Sequence, residues 1–353
     1  MQVDILIIGQ GISGTFLSYY LQKENKSFVV IDNGFVNAPS RVAAGIINPV
    51  TGRRIVTVWK AEELFPFAWQ AYNEIGHQLG ITAISQKNII EFFPNPFMRE
   101  SFLKRIEEKA EYLHSFPEQN HFNPYFNYEF GCGEIRPAYT AHLETLIPAC
   151  RKHLKQNAQL REEEFDISLL DTGNDKIRYK DIIAGKIIFC DGAGPSGNHF
   201  FKQLPFAPNK GEALVVEIPG LSQHHIYKKS MTLAPLAEKD MFWIGSIYHW
   251  DFDNADPTPA FRKNTESVLQ EWLKIPFRIV EHRCGIRPAT LERRPFVGFH
   301  PLHKNIGIFN GMGTKGCSLA PYFAKQFVDH IIYNLEIDPE ADINRFQKIL
   351  SRN

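Results

Sequence analysis

The 353-residue sequence predicts an α/β plus α+β protein, with helices on an open, mostly parallel sheet in one unit and a mostly antiparallel sheet in another. Three observations carry this expectation. An apolar run, Ile5 to Ile8, meets Gly9-Gln10-Gly11-Ile12-Ser13-Gly14, and a second run, Phe28 to Ile31, stops at Asp32. Two later runs, Ile187 to Cys190 and Asn305 to Phe309, also feed glycine-rich turns. Between them, Glu212 to Ile218, Lys228 to Pro235 and Met241 to Ile247 have the β-branched and aromatic content of strands. The length exceeds one ordinary core and suits two domains.

In the first stretch the glycines answer separate steric demands. Gly9 permits a tight turn, Gly11 lets a pyrophosphate approach the backbone, and Gly14 lets the following helix pack closely on the strand. Strand, glycine turn, helix, strand and terminal acid together form the pattern of a dinucleotide-binding βαβ unit. The helix is expected from Ile12 to about Lys23, its unpaired N–H groups and positive dipole end facing the pyrophosphate. Asp32 would accept hydrogen bonds from ribose hydroxyls. Asn33 to Pro39 reads as a loop, and Ser40 to Pro49 is crowded with small residues that allow backbone to lie against a flat ring or a phosphate.

Residues Ala61 to Leu79 have helical apolar spacing through Leu64, Phe67, Ala68, Ala71 and Ile75, and Phe97 to Leu113 reads as a second, charged-faced helix. Asn88 to Phe93 lies between them as a short strand. Pro117 to Tyr128 has no clear period and is expected to form a long loop or small strands, its histidines ordinary polar residues. Pro137 to Leu154 returns to helix, with Leu143, Leu146, Ile147 and Cys150 on one face, and Gln159 to Phe165 follows as a strand. The strand Ile187 to Cys190 ends in Asp191-Gly192-Ala193-Gly194, the kind of exit that meets a ligand in open α/β sheets. Pro257 to Leu273 supplies a helix with Phe261, Val268, Leu269 and Trp272 inward, and Arg278 to Arg287 a strand. Asn305 to Phe309 then runs into the turn Gly311 to Gly316 and a helix from Leu319 to Leu335, whose opening presents free N–H donors across the turn.

Lys plus Arg and Asp plus Glu balance at 39 each, so no global field draws nucleic acid or an anionic membrane, and the partner is expected to be small. The five cysteines lie far apart without a CxxC pair, which fits reduced thiols and suggests no metal. No uninterrupted apolar segment reaches membrane-spanning length, and Asp4 interrupts the first apolar stretch. The expectation is a soluble, cytoplasmic chain. Pattern alone does not separate an oligomer contact from an inter-domain surface.

With these turns in this order, the whole chain resembles the FAD-dependent D-amino acid oxidase superfamily, which includes glycine oxidase and sarcosine oxidase. The marks are Gly9 to Gly14, Ser40 to Pro49, Cys190-Asp191-Gly192-Ala193, Gly285-Ile286-Arg287-Pro288, and Gly311 to Pro321. The resemblance implies a Rossmann-like FAD-binding domain, 1–85, 140–205 and 285–353, interleaved with a substrate-binding domain, 86–139 and 206–284. It implies cofactor contacts from Gly9, Gly11, Ile12, Ser13 and Gly14. Asp32 would lie on the ribose, and Arg41, Ala43, Ala44, Gly45 and Ile46 along the pyrophosphate and flavin side. Phe165 would offer backbone to the adenine. Gly192 and Ala193 would complete the cradle, and Gly311, Gly313, Thr314, Lys315 and Gly316 would lie near the pyrimidine edge of the flavin. Cys284 lies near the family's position of covalent flavin attachment but out of register, so the FAD is expected to be noncovalent.

For catalysis the resemblance points to Arg287, Tyr248, Tyr227 and Lys315. Arg287 would grip a substrate carboxylate through two parallel charge-assisted hydrogen bonds, or would instead pair with a structural acid such as Glu281 or Glu292. Tyr227 and Tyr248 would contact the substrate or serve as core tyrosines. Lys315 would stabilise the reduced flavin, or would face solvent. His249, Arg293 and Arg294 are weaker candidates, and Trp243 falls where the sarcosine oxidase branch places an oxygen-activating lysine. The implied reaction is oxidation of the C–N bond of a small amino acid or N-alkyl glycine by hydride transfer to flavin N5, giving an imine that hydrolyses. A second reading takes its lead from the Ala-Gly-Ile-Ile-Asn-Pro stretch, which resembles the oxidase domain of the bifunctional tRNA wobble-uridine modification enzyme. It would have the enzyme act on a carboxymethylaminomethyl group of tRNA, with the basic pairs Arg53-Arg54, Lys228-Lys229 and Arg293-Arg294 on phosphates; the neutral charge balance counts against it. A third is a noncatalytic flavin-binding protein.

Overall fold

The computed structural model describes residues 1–52, 55–173, 176–193 and 198–352. Arg53, Arg54 and Gly194 therefore lie outside the described residues.

Two large sheets organise the chain. The first has eight strands, and its central strands Phe28–Ile31, Gln2–Ile8, Ile182–Phe189 and Ile306–Asn310 run parallel. Along Gln2–Ile8, Ile5 and Ile7 enter one core while Leu6 and Ile8 enter another, so both faces of this sheet are covered. The helix Ile12–Lys23 begins at the residue expected, because Gly11 is its N-cap and the apolar face buries Phe16, Leu17 and Leu21. The second sheet also has eight strands, in the order Arg278–Arg287, Asn209–Glu217, Met241–Gly245, Thr232–Pro235, Ile226–Lys228, Ile89–Phe92, Cys132–Ile135 and Leu113–Ser115. Every pairing in it is antiparallel except Ile226–Lys228 with Ile89–Phe92. One face carries Leu214, Tyr227, Leu233, Phe242 and the helix Pro259–Trp272; the other, with Ala213, Ala234 and Trp243, turns toward the first sheet.

Several boundaries differ from the sequence reading. The helix expected to Leu113 spans Pro96–Glu107, since Lys109 has a left-handed backbone and Leu113 joins an edge strand. The helix expected from Pro137 starts at Leu143, because Tyr139–Ala141 pairs with Ile46–Ile47 and Ile84–Gln86 in a small sheet. Of Gln159 to Phe165 only Leu160–Arg161 forms a strand, at the edge beside Phe28–Ile31. Lys228 to Pro235 is not one run: a tight turn closed by Lys229 N–H to the Met231 carbonyl divides two strands. Phe296–Phe299 is a strand that the sequence reading missed.

The helix Ala61–Leu79 and the strand Arg278–Arg287 have the bounds read from the sequence. No helix among the described residues is long and apolar enough to cross a membrane, and no cluster of His, Cys, Asp and Glu among them could hold a metal ion. All five cysteines are buried and free.

Candidate cofactor and substrate site

The first glycine turn is built as its sequence requires. Gly9 has a φ of +99°, and a Cβ there would lie 2.6 Å from the Cys190 carbonyl oxygen; a Cβ on Gly14 would lie 1.9 Å from the Gly9 oxygen. Gly14 therefore packs the helix on the strand and does not line the cavity, whereas Gly9, Gly11, Ile12 and Ser13 do. Ser40 reaches across to this helix start, its Oγ accepting from the Ile12 N–H at 2.9 Å. Asp32 stands at the end of its strand as expected, but its carboxylate is already engaged. It accepts from the Gln10 and Gly34 N–H groups, each at 2.8 Å, and from an Arg151 guanidinium nitrogen at 2.6 Å. An ionised carboxylate has about four acceptor positions, so room remains for a further donor. Sequence reasoning missed Arg151, which lies on a helix of ordinary charged composition; only its neighbourhood in space marks it.

These residues open on a cavity of about 970 Å³. Arg41, Ala43, Ala44, Gly45 and Ile46 form one wall, with Gly45 at a φ of +74° and no space for a Cβ beside the Ala141 carbonyl. Phe165, Gly192, Ala193, Gly313, Thr314, Lys315 and Gly316 also line it. Phe165 is not in a strand; its ring stacks on Tyr179 with centroids 4.8 Å apart. Gly311 lies behind the wall, where a Cβ would meet Thr290 Cγ2 at 2.7 Å, so its role is to pass the chain close to that residue. Asp191, also lining the cavity, has its pKa pushed up to about 6 by burial, against the Asn310 amide that donates to it at 2.9 Å.

The remaining wall comes from the second sheet. Arg287 ends the strand Arg278–Arg287 and donates to Asn209 Oδ1 at 2.7 Å, to the Ile247 carbonyl at 3.2 Å and to Ser246 Oγ. Glu281 and Glu292, the acids weighed as its structural partners, pair instead with Arg283 and Arg345. Every side chain and carbonyl that Arg287 contacts is thus neutral, and burial draws its pKa below the usual guanidinium range. Gly211 makes space for it, since a Cβ there would come within 2.0 Å of Arg287 Nη2. Tyr248 lies on the cavity rim under the guanidinium.

Tyr227 is a correction. It is 1% exposed on the opposite face of the sheet, its hydroxyl donating to the Ser222 carbonyl at 2.9 Å among Phe92, Phe122 and Phe126. Strand alternation sends its neighbour Lys228 to the cavity instead.

Lys315 lines the cavity at the start of the helix Gly316–Tyr333, and its pKa is lowered by burial first and then by the charges of Arg294 and Arg293. Arg294 stacks on Trp59 and pairs with Glu340, His249 lies 3.9 Å from Glu212, and Trp243 donates to the Val42 carbonyl at 2.9 Å. Of the basic pairs, Lys228 is held by Glu91 and Lys229 by the Asn127 carbonyl.

Glycine turns at strand ends, a helix start facing a cavity and a second sheet closing it are the arrangement of a dinucleotide-dependent enzyme. The profile of the FAD dependent oxidoreductase family, DAO, matches residues 4–330, and the chain belongs to that family, as the resemblance in its sequence implied. It is 25% identical to the glycine oxidase of Bacillus subtilis (strain 168), over 96% of this chain and 95% of the relative. The fold is that of glycine oxidase from Geobacillus kaustophilus, with a TM-score of 0.78 at 17% identity, covering 100% of this chain and 99% of that one. Iminodiacetate oxidase from Chelativorans sp. BNC1 follows with a TM-score of 0.76 at 18% identity, over 97% and 98% of the two chains. FAD fits the cradle: the backbone of Gly9 and Gly11 on the cavity wall, the helix start and the remaining acceptor capacity of Asp32 suit a pyrophosphate and a ribose.

Proposed function

We propose that this chain oxidises the C–N bond of a small amino acid or N-alkyl glycine, holding FAD noncovalently. The observation that carries the reading is Arg287, a half-buried cation with only neutral partners, opening into the same cavity as the glycine turns. A guanidinium in that state is completed by a carboxylate, whose two oxygens match its fork. FAD, when bound, supplies the two-electron acceptor for the substrate C–H, and the imine product hydrolyses in water.

The chain's own contribution is position. Arg287 anchors the carboxylate and Tyr248 covers the guanidinium on the rim, which together fix where the reacting carbon lies. Lys315 and the helix start beside it place positive charge at the end of the cavity where the Gly313–Gly316 turn would meet the flavin. Gly9, Gly11 and Ser13 would hold the pyrophosphate, Asp32 the ribose, and Phe165 the adenine side. Cys284, the cysteine near the family's attachment position, is fully buried and does not line the cavity, which supports noncovalent attachment. The names of the relatives agree: glycine is a small amino acid, and iminodiacetate is an N-substituted glycine. We assign 1–85, 140–205 and 285–353 to the cofactor domain and 86–139 and 206–284 to the substrate domain. The two sheets support this division, except that the strand Arg278–Arg287 carries Arg287 across the boundary onto the substrate side.

The test is anaerobic. The purified yellow protein is mixed with glycine, sarcosine, D-amino acids and both prolines while flavin absorbance is followed. Bleaching by a member of this panel is expected; a flavin that dithionite reduces but no amine bleaches would remove the reading.

A further inference from the structure

The face of the second sheet that lines the cavity carries a second cation. Lys228 projects there from the end of Ile226–Lys228, and its ammonium lies 2.6 Å from Glu91 Oε2 on the adjoining parallel strand. Glu91 is 8% exposed and Lys228 33% exposed along their side chains, so the carboxylate is sealed while the ammonium reaches the open space. An ammonium has three donors. Glu91 takes one of them, and no other hydrogen bond of Lys228 Nζ is formed among the described residues. Burial raises the pKa of Glu91, and the Lys228 charge opposes that rise.

The register places this cation relative to Arg287. Lys228 faces Thr232 across one strand pair, and Thr232 faces Gly245 across the next. The residue after Gly245 is Ser246, whose hydroxyl accepts from Arg287. Two strand spacings, about 10 Å, therefore separate the anchor of Lys228 from the strand end at which the guanidinium is held. Among the described residues of this sheet, the one acid lining the cavity is Glu212. Its carboxylate is turned away, accepting from Thr258 N–H and Oγ1 at 2.6 and 2.8 Å, with His282 Nε2 at 2.9 Å. The substrate-facing wall thus presents two cations and no free carboxylate. The ammonium neutralises the buried Glu91 carboxylate, and a wall selecting only glycine or a neutral amino acid would leave its two remaining donors to water; an anionic group on the substrate would use them.

Resting on the amine-oxidation reading above, we infer that the preferred substrate carries a second anionic group, on its nitrogen substituent or its side chain, which Lys228 receives while Arg287 holds the first carboxylate. Glu91 is the positioning residue: it holds Lys228 in place and consumes part of its charge. The substrate class is an amino dicarboxylic acid or an N-carboxyalkyl amino acid.

Two measurements on the holoenzyme separate this inference from the reading beneath it. The first needs no turnover: glutarate and butyrate, a dicarboxylate and a monocarboxylate of similar reach, are titrated against the flavin absorbance spectrum. Glutarate is expected to bind at least about tenfold more tightly, the scale of one added charge-assisted contact. Lys228→Met should bring the ratio to about one, and Glu91→Gln, which frees the ammonium, should raise it. The second is anaerobic reduction by iminodiacetate and both aspartates compared with sarcosine and both alanines, where the same ratio should appear in the substrate dependence. Equal binding of glutarate and butyrate by the wild type, or a ratio that Lys228→Met leaves intact, overturns the inference even if sarcosine bleaches the flavin. Preferential glutarate binding in a protein that no amine bleaches would retain the anion site and remove the oxidation. Thermal denaturation of both variants confirms that a lost ratio is not lost fold.

Discussion

The guanidinium of Arg287 lies 4.9 Å from the centre of the Tyr248 ring, and Tyr248 itself is 56% exposed, so a cation inside the cavity is capped by an aromatic residue on its rim. The charge faces a π surface on one side, and three of its five N–H donors go to the neutral oxygens of Asn209, Ile247 and Ser246, which leaves two, on Nε and Nη2, for an incoming anion. Replacing Arg287 with Lys should keep the charge and lose the fork, raising KM for a carboxylate-bearing amine about tenfold, and Arg287→Met should cost about a hundredfold in kcat/KM. Steady-state kinetics with the best amine from the anaerobic panel checks both.

Gly211 tests the same guanidinium without touching it. A methyl group at Gly211 would occupy the position of Nη2, and the atom displaced is the far end of a flexible side chain rather than backbone. Gly211→Ala is therefore expected to leave the melting temperature close to that of the wild type while weakening substrate binding about tenfold. A variant that binds normally would show that the guanidinium has another productive position.

Arg151 should matter for the cofactor and not for the substrate. It ties Asp32 to Glu162 and reaches Gln10, so it joins the ends of two strands and the first turn of the cradle. Arg151→Ala leaves the Asp32 carboxylate without its cation and should raise the dissociation constant for FAD about tenfold, read by flavin fluorescence quenching on apoprotein. Arg151→Lys should recover part of the loss.

Asp191 gives a pH signature. Its folded-state pKa is raised from 3.8 to about 6 by burial, so the fold favours the protonated form. That contribution is fully present below about pH 4, is lost as pH rises through 6, and is constant above. Relative to the wild type, Asp191→Asn should gain about 3 kcal/mol between pH 4 and pH 7, in urea denaturation of the apoprotein followed across that range. A gap that does not change with pH would place the carboxylate in contact with water.

Where a residue's job is steric and local, the sequence was enough. Gly14 answers to a backbone contact inside its own turn, Gly9 and Gly45 to the positive φ their turns require, and the helix Ile12–Lys23 begins where the glycines allow it; that Gly9 and Gly45 also pass the carbonyls of Cys190 and Ala141 only the fold shows. What the sequence could not give was partnership across distance. Arg151 carried no signal, and Lys228 stood out only as half of a basic pair suited to phosphates, because nothing in their spacing reveals that Asp32 and Glu91 wait on other strands. Tyr227 failed for a related reason: period-2 alternation makes adjacent residues face opposite ways, and a turn at 229–231 that the apolar pattern did not show set which of them met the cavity. The helix overrun to Leu113 came from charged residues that suit either a helix face or an edge strand.

The parallel pairing of Ile226–Lys228 with Ile89–Phe92 joins segments 137 positions apart, and the strand Ile306–Asn310 must still add to Ile182–Phe189 before the last glycine turn exists. Contacts this distant form late, since the chain between them must be ordered before they repay its entropy. A nascent chain still short of Gly316 has one wall of the cavity missing, so capture of the cofactor becomes possible only after that turn has been made. Tight flavin binding would then report that both sheets have found their partners, and yellow colour in a purified fraction would measure folding as well as loading.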